Sequence, residues 1–161
     1  MDLGFNETQQ MLKSIARDVL SKDCPLSVVR KMEEDPRGYT DELWKQVVDL
    51  GWLGLAFPEE YGGAGGDFLD LAALLEEMGR ALMPGPFFST VVLGGLSLLD
   101  AGSESTKKDL LPKIASGNLV VTLANVEASG TYEAHGIQTD ARLDGDEYVI
   151  NGTKLFAPDA H

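Results

Sequence analysis

The chain reads as mainly α, a helical bundle followed by a partial antiparallel β-region, and three observations carry that reading. Apolar residues recur at helical spacing through most of the first hundred residues. From Leu119 the pattern turns β-branched, beginning L-V-V-T-L-A. Two turn signals then follow closely, Asp144-Gly145 and Asn151-Gly152, each of the kind that joins antiparallel strands through two residues.

Taken in order, Asn6 is a suitable cap for a first helix to about Ser21, with Met11, Leu12, Ile15, Val19 and Leu20 on one face. Pro25 suits the start of a second helix carrying Val28, Val29 and Met32, which Pro36-Arg37-Gly38 ends. Thr40 caps a third, where Asp41 and Glu42 favour the helix dipole and Leu43, Trp44, Val47 and Val48 form the buried stripe up to Gly51. Residues 53–66 hold five glycines and predict a turning loop; they match neither a dinucleotide fingerprint nor a P-loop. Asp67 caps a fourth helix with Leu71, Leu74, Leu75, Met78 and Leu82 as its stripe. After Met83-Pro84-Gly85-Pro86, residues 87–101 predict a fifth helix that is apolar nearly all round, suited to a core or to the wall of an apolar pocket. A short helix then stops near Pro112, and a strand is expected over 119–124. The expected domain boundary lies at Ser116-Gly117-Asn118, giving a helical domain over 1–117 and the first strands of a β-domain over 118–161.

Composition narrows the classes of function. A hydrophobic fraction of 43% fits a globular chain, and no apolar run reaches the ~20 residues of a membrane span. The N-terminus shows no basic region of a signal peptide. A net charge of −13 argues against nucleic acid, whose phosphates need clustered Lys and Arg. Lys107-Lys108 reads as a solvated face. The single cysteine, Cys24, allows no intrachain disulfide and points to a reducing cytoplasm. His135 and His161 form no metal-ligand pattern.

Four segments, in order, resemble the acyl-CoA dehydrogenase family. F-P-E-E-Y-G-G-A-G-G (57–66) is similar to the family's L-P-E-E-Y-G-G-x-G loop, and L-L-E-E-M-G-R-A (74–81) to its E-E-L-G-R helix. Residues 101–117, A-G-S-E-S-T-K-K-D-L-L-P-K-I-A-S-G, resemble its G-T-E-E-Q-K-x-x-Y-L-P-x-L-A-S-G segment. G-D-E-Y-V-I-N-G-T-K (145–154) resembles its G-D-x-Y-V-L-N-G-x-K hairpin. The resemblance implies an FAD-dependent desaturation of an acyl-CoA substrate. It also implies a homo- or hetero-oligomer and an electron-transfer acceptor protein. The family's glutamate base lies in a further helical domain, so no catalytic residue is nominated in this chain, and Glu127 reads as structural.

The resemblance places flavin contacts at Leu123, Asn125, Val126 and Phe156. The family's loop x-x-x-T-E-P-x-A-G-S-D corresponds to residues 123–133, where Val126 stands for the Thr, Ala128 for the Pro and Tyr132 for the Ser. Its W-I-T-N corresponds to Phe156-Ala157-Pro158-Asp159, where Phe156 keeps an aromatic face and Pro158 offers neither hydroxyl nor N–H. Two absent hydrogen bonds at about 0.5–1.5 kcal/mol each amount to roughly one to two powers of ten in affinity. The resemblance also implies an acyl pocket lined by Gly85, Ser89, Val92 and Leu93. Small residues at Gly85 and Ser89 suit a long or bulky acyl group, while Gly94-Gly95 equally suits close helix packing. Two readings remain open, a flavin enzyme and a partner subunit without its own flavin; a helical interaction domain with a β-tail does not explain the four ordered motifs.

Overall fold

A computed structural model describes residues 4–160. Among the described residues there are six α-helices: α1 Glu7–Asp23, α2 Leu26–Met32, α3 Asp41–Asp49, α4 Phe68–Arg80, α5 Leu96–Ala101 and α6 Glu104–Ala115. Two strands follow, β1 Asp140–Asp144 and β2 Glu147–Asn151. The predicted class, a helical bundle with a small antiparallel sheet, is the one observed.

Local chemistry sets most helix starts. Asn6 and Gln9 form a reciprocal capping box on α1, Asp67 and Asp70 form another on α4, and Thr40 and Ser103 cap α3 and α6. The two boxes are joined: Gln9 Nε2 donates to Asp70 Oδ1 at 3.1 Å. Farther along, Arg17 reaches Glu77 and Arg80 reaches Ser21. The near-constant sequence offset of these pairs makes α1 and α4 run parallel, side by side. Glu77 is fully buried between them and accepts from Arg17 Nη2 at 2.6 Å and Arg80 Nε at 2.8 Å. Chiefly through the Arg17 hydrogen bond, its carboxyl is lowered to about 2.

The core gathers Leu20, Leu53, Phe57, Leu71, Leu74, Leu111 and Ile114, all fully buried. The glycine-rich loop is folded onto it by Ala64 N–H to Gly54 O and Gly66 N–H to Leu55 O, both 2.9 Å. Tyr61 O–H donates to Glu104 at 2.9 Å and ties the loop to the start of α6. Residues 88–95 form a π-helix that runs directly into α5. Its Gly94-Gly95 pair allows close approach: a Cβ on Gly94 would meet Val121 Cγ2 at 2.3 Å, and one on Gly95 would meet Phe57 Cζ at 2.5 Å. Both glycines are thus points of close packing.

Several sequence expectations are corrected. Met11 is 62% and Ile15 44% exposed; Leu20 is buried and Leu12 and Val19 pack on the core as expected, joined by Gln9 and Ala16 on the inner face of α1. Leu82 lies past the end of α4 with φ +52 and is 59% exposed. Helix α6 continues through Pro112 to Ala115, because the carbonyl freed by the missing N–H belongs to exposed Lys108. Residues 119–124 form no strand, since no second strand lies beside them to complete a ladder. The β1–β2 hairpin turns on Gly145-Asp146, one residue later than expected, with Asp144 opposite Glu147. Asn151-Gly152 makes no hairpin: β2 ends at Asn151, and the chain returns to place Leu155 opposite Val126. All ten strand residues are exposed, Leu143, Tyr148 and Ile150 among them. Among the described residues, no helix is long and apolar enough to cross a membrane.

Candidate functional site

The segment after α6 passes along the π-helix as extended chain, loops outward over residues 127–136, enters the hairpin, and comes back at residues 154–158. Two contacts close this circuit. Leu155 N–H donates to Val126 O at 2.8 Å, in an isolated antiparallel bridge. Beside it, Glu127 is 4% exposed and accepts from Gln138 N–H at 2.6 Å, Thr139 N–H at 3.1 Å, Thr139 Oγ1 at 2.5 Å and Lys154 Nζ at 2.6 Å. Led by the Lys154 hydrogen bond, these donors hold the Glu127 carboxyl at about 2. A carboxylate so low and so fully engaged is a poor base for a proton on carbon. The sequence expectation of a structural Glu127 agrees with these contacts.

The closed circuit leaves a cleft of about 520 Å³ lined by Leu93, Leu123, Asn125, Val126, Gly130, Tyr132, Phe156 and Pro158. All four residues expected to touch a cofactor, Leu123, Asn125, Val126 and Phe156, stand on this one cleft. Leu93 of the expected substrate set joins them. Gly130, Tyr132 and Pro158 complete the wall; the first was not nominated, and only its turn-forming residue type hinted at it. A second hollow of about 380 Å³ shares Leu93 and Leu123 with the cleft and runs between Gly94, Leu98 and Leu110.

The other expected substrate residues lie elsewhere. Gly85 takes φ +109 and packs on Tyr39, where a Cβ would meet the Tyr39 Cβ at 3.0 Å; it borders a separate apolar hollow of about 340 Å³ with Met78, Leu82 and Phe88. Val92 is half-buried against the core. Ser89 is 2% exposed, and its hydroxyl donates to the Asp159 carboxylate. Lys107 is not a free surface cation: it pairs with Glu104 at 3.4 Å. Cys24 is buried beneath the end of α4, and burial pushes its thiol pKa up.

The lining chemistry suits a flat, largely apolar heteroaromatic group. Phe156 is 87% exposed and offers a ring face, Leu93, Leu123 and Val126 offer apolar walls, and the Asn125 amide offers polar atoms at the edge. Val126 and Pro158 contribute no hydroxyl.

The sequence model of the family described as "Acyl-CoA dehydrogenase, N-terminal domain" matches residues 6–118. The chain is 32% identical over 99% of its length to a probable acyl-CoA dehydrogenase, YngJ, of Bacillus subtilis (strain 168), covering 42% of that protein. Among solved structures it resembles an acyl-CoA dehydrogenase complexed with FAD from Bacillus anthracis: 30% identity, TM-score 0.82, 95% of this chain and 27% of that one. It likewise resembles a chain of the ChsE4-ChsE5 complex from Mycobacterium tuberculosis: 26% identity, TM-score 0.85, 98% of this chain and 42% of that one. The chain thus spans about two fifths of the length of its curated relative.

Proposed function

Since the chain belongs to the acyl-CoA dehydrogenase family, we propose that it is part of a flavin-dependent enzyme that removes one hydrogen from each of Cα and Cβ of an acyl-CoA thioester. Residues 1–117 serve as the helical bundle and 118–161 as the start of the β-domain. The observation that carries this reading is the convergence of Leu123, Asn125, Val126 and Phe156 with Leu93 on one cleft. FAD, when bound, supplies the acceptor for the hydride leaving Cβ. Phe156 stacks against the ring system, Leu123 and Val126 keep water from its edge, and the Asn125 amide hydrogen-bonds at that edge. The base that takes the α-proton comes from a part of the protein other than these residues. A homo- or hetero-oligomer, an electron-transfer acceptor protein and a cytoplasmic location belong to the same proposal.

The acyl chain enters past Leu93. The hollow behind the cleft, walled by Gly94, Leu98 and Leu110, supports a long or ring-bearing acyl group over a short one. Comparing turnover of the full-length protein on butyryl-CoA and on long-chain or ring-bearing acyl-CoA thioesters tests this; a clear butyryl preference sinks it.

One observation favours a second reading. Val126 presents no hydroxyl to the cleft and Pro158 neither hydroxyl nor N–H, as a subunit that leaves the flavin to a partner would. The visible spectrum of the purified full-length protein separates the two. Flavin bands support the enzyme; colourless protein that gains colour only with a co-expressed partner supports the subunit.

A further inference from the structure

Phe156 and Pro158 form one wall of the cleft, yet their segment has little packing of its own. Phe156 and Asp159 both adopt left-handed backbone, φ +53 and +51, which non-glycine residues keep only where the surroundings impose it. Two anchors bracket this segment. On one side stand the Val126–Leu155 bridge and the Glu127–Lys154 pair. On the other stands Ser89, buried on the π-helix, whose hydroxyl donates to the Asp159 carboxylate across seventy residues of chain. Asp159 also borders a crevice with Tyr39, Pro86 and Val120, so it is seated on the helical bundle.

We propose that Ser89 and Asp159 are a positioning pair: their hydrogen bond fastens the returning segment to the π-helix and so sets where Phe156 and Pro158 stand at the cleft. The role of Ser89 is then its hydroxyl, not its small volume. The two roles predict opposite results for Ser89→Ala, which adds space but removes the donor. This inference rests on the reading of the cleft as a flavin-edge site only for its effect on binding; the fastening itself is independent of it.

The test uses the full-length protein as wild type, Ser89→Ala, Asp159→Ala, Asp159→Asn and the Ser89→Ala/Asp159→Ala double variant. Amide hydrogen exchange over residues 155–160 is measured without ligand, and FAD affinity by fluorescence quenching. Ser89→Ala and Asp159→Ala are expected to speed exchange there, and to weaken FAD binding, by about tenfold each, the scale of one lost charge-assisted hydrogen bond. Asp159→Asn keeps an acceptor and stays within about threefold of wild type. The double variant is no worse than either single one, because both remove the same bond. Unchanged exchange in Ser89→Ala, or effects that multiply in the double variant, overturn the proposal. If the wild type binds no FAD, the flavin reading fails by itself, and the exchange result still decides the fastening.

Discussion

Lys154 Nζ lies 2.6 Å from Glu127 Oε1, and this contact joins the outgoing and returning strands of chain that flank the cleft. Val126 precedes one partner, and Leu155 and Phe156 follow the other. The wall positions therefore depend on a carboxylate that does not itself line the cleft.

That dependence has a pH signature. The Glu127 carboxyl sits at about 2 in the fold against an ordinary 4.5. A carboxyl lowered by folding stabilises the fold above its ordinary value, and the contribution is lost as pH falls from about 4.5 towards 2. Melting temperatures at pH 6 and pH 3 are expected to differ more for wild type than for Glu127→Gln. Glu77, lowered likewise to about 2, is present in both proteins and cancels in the comparison. Equal losses in the two proteins would remove Glu127 from the account.

Glu77 itself tests the bundle. It is fully buried between Arg17 and Arg80, and removing it leaves two guanidinium groups without their carboxylate. Both arginines are about half exposed, so water offsets part of that cost. Glu77→Ala is expected to destabilise by about 3 kcal/mol, the low end for breaking a buried pair. Thermal melting reads this as a drop of roughly 6–12 °C.

Gly94 and Val121 give a paired prediction. A methyl on Gly94 would sit 2.3 Å from Val121 Cγ2. Gly94→Ala is expected to cost about 1–3 kcal/mol by overpacking. Val121→Ala in the same chain should restore part of that loss, and a double-mutant cycle by denaturant unfolding checks the coupling.

Thr90 predicts a gain. Its Oγ1 is fully buried with no hydrogen-bond partner among the described residues. Thr90→Val keeps the shape and removes the orphan hydroxyl, so stability should rise by about 1 kcal/mol. A lower melting temperature in the variant would mean that the hydroxyl has a partner in the working protein.

The helical half was legible because its signals are local. Asn6, Thr40 and Asp67 each act within three residues, and the stripes of α3 and α4 follow from spacing alone. The β half was legible only in part. Gly145 marked the hairpin, but the strand expected over 119–124 needs a neighbour that its own residues cannot supply. The apolar period of residues 87–101 gave a helix but not its π-form, because apolar spacing does not separate one helix type from the other. At the site, Leu123, Asn125, Val126 and Phe156 were reachable through family register. The Ser89–Asp159 bond was not, because it joins residues seventy apart with no pattern between them.

The central claim is that the cleft between Leu93 and Phe156 holds the edge of a flavin. It is tested most directly by titrating the full-length protein with FAD, and the same protein carrying Phe156→Ala, while recording difference absorbance. Saturable binding is predicted for the wild type, weakened about threefold to tenfold in Phe156→Ala by the loss of one aromatic stack. No saturable change in the wild type, or equal affinity in the two proteins, would contradict the claim.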